Sequence, residues 1–408
     1  MADHPFTVAS ANAAGAARAI AFGRGPTTGT LADFVLDPAG DESARPVVAA
    51  LQEVFVAEPD DTPAELRRSV EKAGRRGEVD YHASVTSCSY PLDRKWRGRW
   101  DKGGPALIEQ GMATAVHGDI EIVDPYRVSP SEGAGTPFRR LVIDLPVLNV
   151  AGQTATSSLW TYYQGDRNTE PRVATAHRVG LGDPPWAPEA PQFILVNAHV
   201  GTLSEEDHEP AKGELARTVR ARTAAGVLVR RAQLGVVADF VREVAYRDLG
   251  LPVVIAGDFN ATPDAAEIVE FMRSSSLKAV FETGPSRCWR CRTALGERKE
   301  TLYSSVTEKA VLTRTEDQFL EITGGGAHIV QGIGVAEWCT TCELPQFTHK
   351  RNFGLIDNIF FTDPAQKAWK LAFRLTPDES RRGLRLDSYF SDHLPIWSGF
   401  SASAVFDE

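Results

Sequence analysis

A chain of 408 residues, 42 % hydrophobic and 24 % charged, has the composition of an ordinary soluble protein and is long enough to bury a substantial core. That length allows two or three domains, or one large domain carrying insertions. A net charge of −10 argues against tight non-specific binding of nucleic acid over the whole surface, yet it permits a local basic patch and suits a protein that collects divalent cations; no run approaches the ~18 uninterrupted apolar residues of a membrane span.

The opening, MADHPFTVASANAAG, has no basic stretch leading into an apolar core, so a secretory leader is not expected. A cytoplasmic setting with reduced thiols follows as the expectation. PFTVASAN starts as a strand and stops at Asn12, and the Gly-rich GAARAIAFGRGPTTGT reads as a loop without the lysine of a phosphate-binding P-loop. ARPVVAALQEV is a short apolar run with a carboxylate, Glu53, near its end. Residues 59 to 80 are polar and read as helix and turn. YHASVTSCSY alternates up to a proline, as a strand does, and GMATAVHG and RRLVIDLPVLNV read as further strands.

Residues 164 to 191 are proline-rich and read as an inserted loop. QFILVNAHV is a strand ending at His199. Residues 205 to 249 hold the longest helical pattern, with Leu234, Val237, Val241 and Val244 at 3- and 4-residue steps on one face. VVIAGDFNATPD follows: four apolar residues, three of them β-branched, that break into Gly257, Asp258, Phe259 and Asn260. In a continuing strand, Asp258 and Asn260 project to the same side. A plain turn is the other reading, because Asp, Asn and the following Thr-Pro-Asp all favour turns. LIDNIFFT and SDHLPIWSGF close the chain as strands. Many strands, few helices and polar residues at strand ends predict a layered α/β fold with mixed sheets.

Four of the five cysteines form two C-x-x-C pairs, Cys288 with Cys291 and Cys339 with Cys342, both inside residues 284 to 350, where the strand pattern is interrupted. The two-residue spacer lets both sulfurs reach one tetrahedral ion, so a structural Zn²⁺ held by all four is expected. The separation between the pairs exceeds ordinary ribbon spacing; two disulfides, or two pairs with no metal, are the alternatives.

Polar groups suited to phosphate chemistry end several strands: Asn12, Glu53, His199, Asp258, Asn260, Asp357, Asp392 and His393. Each has a plain reading. Asn12 can be a turn, Glu53 a helix cap, Asp357 a satisfied buried acid, and Ser-Asp-His an N-cap. Their order along the chain resembles the endonuclease/exonuclease/phosphatase superfamily through ASAN, LQEV, NAHVGT, GDFN, LIDNIFF and SDHLP, which span residues 9 to 397. FTHKRNFGLIDNIFFT looks most like that family's deadenylase and nocturnin branch. The resemblance implies a deoxyribonuclease-like, four-layer α/β sandwich of two sheets. It places one catalytic domain over residues 1–408; the zinc-binding segment expected from the cysteines, residues 284–350, is then an insertion and departs from the general family pattern.

Hydrolysis of a phosphate ester needs an in-line nucleophile and neutralisation of charge. Glu53 is a hard oxygen ligand for Mg²⁺ or Mn²⁺, and Asn12 and Asp392 can supply further oxygens. Asp258 orients or deprotonates the attacking water, and Asn260 holds that water or a phosphate oxygen. His199 and His393 donate to the non-bridging oxygens, and Asp357 fixes the tautomer of His393. The resemblance assigns the same roles to these positions. DRKWRGRWDK interleaves five basic residues with Trp96 and Trp100, which suits stacked bases on a phosphate backbone or forms a solvated hairpin. Arg140, beside Arg139, either contacts phosphate or makes an outward salt bridge.

These readings converge on a metal-dependent phosphoesterase acting on phosphodiesters of nucleic acid or nucleotides. A phosphatase for a small phosphorylated molecule is the alternative, because substrate choice lies in the loops. A non-catalytic zinc-ribbon binding protein is the reading from another class; the intact Glu53, Asp258, Asn260 and His393 speak against it.

Overall fold

The computed structural model describes residues 4–13, 34–40, 45–56, 79–91, 107–123, 141–145, 147–148, 154–155, 172–201 without 183, 186 and 188, 214–281 without 264, 327–330, 334–337, 356–384, 393 and 395–405. In chain order the strands are β1 His4–Asn12, β2 Val47–Val56, β3 Val79–Pro91, β4 Leu107–His117, β5 Ile120–Ile122, β6 Leu141–Leu145, β7 Val147–Leu148, β8 Thr154–Ala155 and β9 Arg172–Leu181. They continue with β10 Gln192–His199, β11 Val253–Asp258, β12 Leu277–Ala279, β13 Ala327–Val330, β14 Gly334–Glu337, β15 Asp357–Thr362, β16 Phe373–Leu384 and β17 Ile396–Ala404. Helix α1 spans Glu214–Phe240 and runs on as a π-helical stretch over Val241–Asp248; α2 spans Ala266–Ser274.

Two mixed sheets result. The first has six strands in the order β16-β17-β1-β2-β4-β3, and the second runs β12-β15-β11-β10-β9-β5, with β6 also pairing β9. The period of two sorts each strand's residues between its two faces. Phe6 and Val8 of β1, Val48 and Ala50 of β2, Phe193 and Leu195 of β10, and Val254 and Ala256 of β11 form one buried cluster with residues of both sheets. Phe6 stacks on Phe193 with ring centroids 5.0 Å apart and on Phe400 at 5.7 Å, joining the sheets face to face.

The outer faces are covered separately. Ile194, Val196, Val253 and Ile255 pack against Leu234, Val237 and Val241 of the long helical segment and Ile268 and Phe271 of α2. Ala9, Ala11, Ala49, Ala113 and Ala115 of the other sheet are small enough to admit Phe34 and Val35. The expected α/β sandwich of two mixed sheets is therefore present.

The expected strands at the chain start, at GMATAVHG, at QFILVNAHV and at LIDNIFFT are all present, as is the helix face at Leu234, Val237 and Val241. One expectation is corrected. Residues 164 to 191 do not form a plain loop, because 172–181 of that stretch are β9, buried beside β10. Its inward side carries Val179 and Leu181 but turns polar at His177 and Thr175, so the alternation is masked, and prolines flank it closely. Residues 15–30 and 59–78 lie outside the described residues, as do Cys288, Cys291, Cys339 and Cys342.

Candidate active site

The layer between the sheets changes character along the strands. Beyond Val8, β1 continues to Ser10 and Asn12; beyond Ala50, β2 continues to Gln52; beyond Leu195, β10 continues to Asn197 and His199; beyond Ala256, β11 ends in Asp258. All of these are buried. The polar end lies at the C-terminal ends of β10 and β11, which run parallel and place His199 opposite Asp258. On the other side, β11 pairs antiparallel with β15 and sets Asp258 opposite Asp357. Ligand sites in sheets with parallel strands gather at such strand ends.

Gly257 makes the row possible. A Cβ there would lie 1.9 Å from the backbone oxygen of Ala198 on β10, so any side chain would push apart the two strands that carry His199 and Asp258. Strand β11 stops at Asp258, and Asn260 adopts a left-handed conformation with φ of 46°. Its backbone N–H donates to Asp258 Oδ1 at 2.9 Å, and its side-chain nitrogen donates to the carbonyl of Val200 at 3.1 Å. The turn reading and the site reading of GDFN thus hold together: Asn260 does not extend the strand face, but its turn clamps Asp258 and the loop after His199.

Asn12 Nδ2 donates to the other Asp258 oxygen, Oδ2, at 3.0 Å. Asp357 Oδ2 accepts from His393 Nδ1 at 2.8 Å, which leaves His393 Nε2 facing Asp258 Oδ2 at 3.7 Å. His199 Nε2 lies 3.6 Å from Asp258 Oδ2 and 3.7 Å from Glu53 Oε1. Glu53 arrives from the opposite sheet. It sits in a β-bulge of β2, with φ of 50°, where the pairing with β4 slips between Leu51 and Val54. Six of the residues expected in the site, Asn12, Glu53, His199, Asp258, Asp357 and His393, therefore meet, and Asn260 braces them. Asp392, Trp96, Trp100 and Arg140 lie outside the described residues.

Sequence reasoning missed Arg172. At the start of β9, this buried guanidinium lies 2.5 Å from His199 Nδ1 and 2.6 Å from Nε2. A guanidinium can only donate, and the carboxylates nearest Nε2 can only accept. A neutral ring therefore accepts from Arg172 on one nitrogen and carries its hydrogen on the other. Burial, then the charges of Arg172 and His393, hold His199 well below the usual histidine range, so its ring is neutral at neutral pH. No motif spacing marks Arg172; the only signal was a lone arginine opening an apolar stretch.

Asp258 is shifted the other way. Burial, and next the negative charge of Asp357, push its carboxyl from 3.8 up to about 6, against the opposing pull of His393 and of the hydrogen bonds from Asn260 and Asn12. A carboxylate poised near neutrality is suited to accepting a proton from water. Ligand atoms of Asp258, Asp357 and His393 also lie within 4.8 Å of one another, close enough to share a cation. The oxygens of Glu53, Asp258 and Asn12 are the hard donors Mg²⁺ or Mn²⁺ requires, whereas a position taken by His393 Nε2 suits Mn²⁺ better than Mg²⁺. The donor set fits a hard divalent ion.

A family model described as "Endonuclease/Exonuclease/phosphatase family" matches residues 9–393. Comparison with curated proteins gave no match. Among solved structures, the human nocturnin catalytic domain with bound sulfate is similar at 12 % identity over 99 % of this chain and 96 % of that one, with a TM-score of 0.46. The endonuclease/exonuclease/phosphatase from Bacteroides vulgatus aligns at 13 % identity over 97 % and 98 %, TM-score 0.46. A mannosyl-6-phosphatase from Bacteroides thetaiotaomicron aligns at 13 % identity over 98 % and 100 %, TM-score 0.44.

Proposed function

Because the chain belongs to the endonuclease/exonuclease/phosphatase family, whose members are metal-dependent phosphoester hydrolases, we propose that it hydrolyses phosphodiester bonds of nucleic acid or nucleotides by in-line attack of water. The observation that carries this reading is Asp258: a buried carboxylate raised toward neutrality, clamped by Asn12 and Asn260, between two histidines and facing Glu53 across the sheets.

Glu53, with the carboxamide oxygen of Asn12 and with Asp392, would hold the Mg²⁺ or Mn²⁺. When bound, that ion supplies charge neutralisation at the phosphoryl and leaving oxygens. The protein's own groups do the rest. Asp258 orients the attacking water and takes its proton. His199, a neutral ring, donates to a non-bridging oxygen from the nitrogen that carries its hydrogen. His393 lies on the other side of Asp258 with its Nδ1–H on Asp357, and in its doubly protonated form it donates from Nε2 to the same group. Arg172 adds a buried positive charge beside the phosphate position.

A single catalytic domain spans the chain in this reading. Residues 284–350 contribute a segment closed by Zn²⁺ on Cys288, Cys291, Cys339 and Cys342. Among the described residues no helix is long and apolar enough to cross a membrane. Trp96, Trp100 and Arg140 are the candidate contacts to a polymeric substrate.

The test is a panel of single- and double-stranded DNA, RNA, dinucleotides and phosphomonoesters, each with Mg²⁺ and with Mn²⁺. Cleavage of phosphodiesters with inert monoesters is the expected result. Turnover confined to monoesters moves the protein to the small-molecule phosphatase reading. Absence of any turnover, with the protein folded and cation bound, overturns the catalytic assignment.

A further inference from the structure

Between the apolar centre of the sandwich and the site lies a row of buried side chains that the chemistry above does not use. Asn197 of β10 reaches from one sheet into the other. Its Nδ2 donates to the carbonyls of Leu51 and of Ala113, each at 3.0 Å, and its Oδ1 accepts from Gln52 Nε2 at 2.8 Å. Gln52 Nε2 also lies 3.1 Å from the carbonyl of Ala50 and 3.3 Å from Ser10 Oγ. Asn197 and Gln52 are both fully buried.

The two carbonyls are not arbitrary. Leu51 and Ala113 face each other as the last regular pair of β2 and β4 before the bulge that contains Glu53. With φ of 50°, Glu53 occupies a left-handed conformation that is unfavourable for a non-glycine residue and persists only where the surroundings over-determine it. An amide nitrogen with two hydrogens, one on each strand's carbonyl, supplies that constraint. The far end of the same strand β10 carries His199 two residues later, and β11 beside it carries Asp258.

We infer that Asn197 and Gln52 form a positioning pair that sets the bulge of β2 and so fixes the Glu53 carboxylate relative to Asp258 and His199 across the two sheets. The inference rests on the reading that Glu53 holds the cation. Apolar contacts alone, such as Phe6 on Phe193 deeper between the sheets, let two sheets slide by fractions of an ångström; a satisfied hydrogen-bond network holds one register. Groups that orient a metal ligand from behind govern affinity without touching the ion.

Mn²⁺ binding to the full-length protein, dialysed free of Mg²⁺ and Mn²⁺ with its zinc retained and followed by calorimetric titration, tests this. Asn197→Leu keeps the volume and removes the hydrogen bonds, and it should weaken Mn²⁺ binding by roughly 10- to 100-fold, with turnover at saturating Mn²⁺ within about threefold of wild type. Gln52→Met carries the same expectation and serves if the leucine variant fails to fold. The decisive comparison uses Glu53→Gln as background: there, adding Asn197→Leu should change the residual Mn²⁺ affinity by less than about twofold, while both backgrounds lose similar thermal stability. Wild-type Mn²⁺ affinity in folded Asn197→Leu or Gln52→Met overturns the inference. Equal weakening with and without the Glu53 carboxylate also overturns it, since the effect then does not pass through Glu53. If Glu53→Gln alone leaves Mn²⁺ affinity intact, the metal reading fails and the route through Glu53 fails with it, a result distinct from the other two.

Discussion

Asp258→Asn should make the cation-free protein more resistant to unfolding at neutral pH while abolishing most of its activity. The Asp258 carboxyl stands at about 6 in the folded protein and 3.8 is its ordinary value, so folding binds a proton between those limits. A group raised in this way contributes stability that is complete below 3.8 and is lost as pH rises through 6. The full swing, 6 − 3.8, corresponds to about 3 kcal/mol. Between pH 5 and pH 7.5 the same relation leaves roughly half of that swing. An amide at this position cannot ionise, so it removes that slope. Asn12 can still donate to its oxygen, but the donor from Asn260 then meets an NH₂ group, a loss of about 1–2 kcal/mol at every pH. The variant minus wild-type stability, from urea melts in chelator, should therefore rise by roughly 1–2 kcal/mol from pH 5 to pH 7.5, whatever its absolute sign at pH 5. Saturating Mn²⁺ should shrink that rise, because the cation favours the ionised carboxylate. A difference that stays flat across the window refutes the argument that burial and Asp357 hold Asp258 near neutrality.

Glu53→Gln should remove most divalent-ion-dependent turnover and leave the unfolding midpoint in chelator near wild type; near wild-type rates with Mg²⁺ on every active substrate would exclude Glu53 as the ligand. His393→Ala and Asp357→Asn should each lower turnover by roughly 10²–10⁴-fold, and the double variant should be little worse than either, because the two act as one hydrogen-bonded unit; additive losses in steady-state rates would separate them. Elemental analysis of protein purified without chelator should find one zinc per chain, lost on replacing Cys288 and Cys339 by serine; mass spectrometry showing two disulfides in cells would contradict it. Trp96→Ala with Trp100→Ala should weaken oligonucleotide binding by about 1–3 kcal/mol per ring while sparing hydrolysis of a small artificial phosphodiester; equal loss on both substrates would mean that the loop serves folding.

The legible part of this protein is the part that obeys a period. Strands β10, β11 and β15 are continuous apolar runs that end in His199, Asp258 and, reversed, begin in Asp357. A residue at the end of a buried run is visible from sequence because the run itself marks where the sheet stops. β9 was hidden for the converse reason. It lies in the same sheet, but its inward positions become polar at Thr175 and His177, where the layer between the sheets turns into the site. The alternation that reveals a strand is weakest where the strand approaches its function, and Arg172 went unread with it.

Glu53 shows a second limit. LQE follows four aliphatic residues, so its strand was readable, but a strand extended regularly through Glu53 would not contain a residue at φ of 50°. The extra residue between Leu51 and Val54 re-aims the carboxylate, and what holds the bulge is Asn197, on a strand from the other sheet and distant in sequence. Gln52 and Asn197 are each unremarkable in a linear reading, a polar residue near a strand end. Their meaning is pairwise and arises only when the sheets stack. Composition and period therefore determine which strands form and which residues end them, while the distance between Glu53 and Asp258 is set by contacts that no single segment contains.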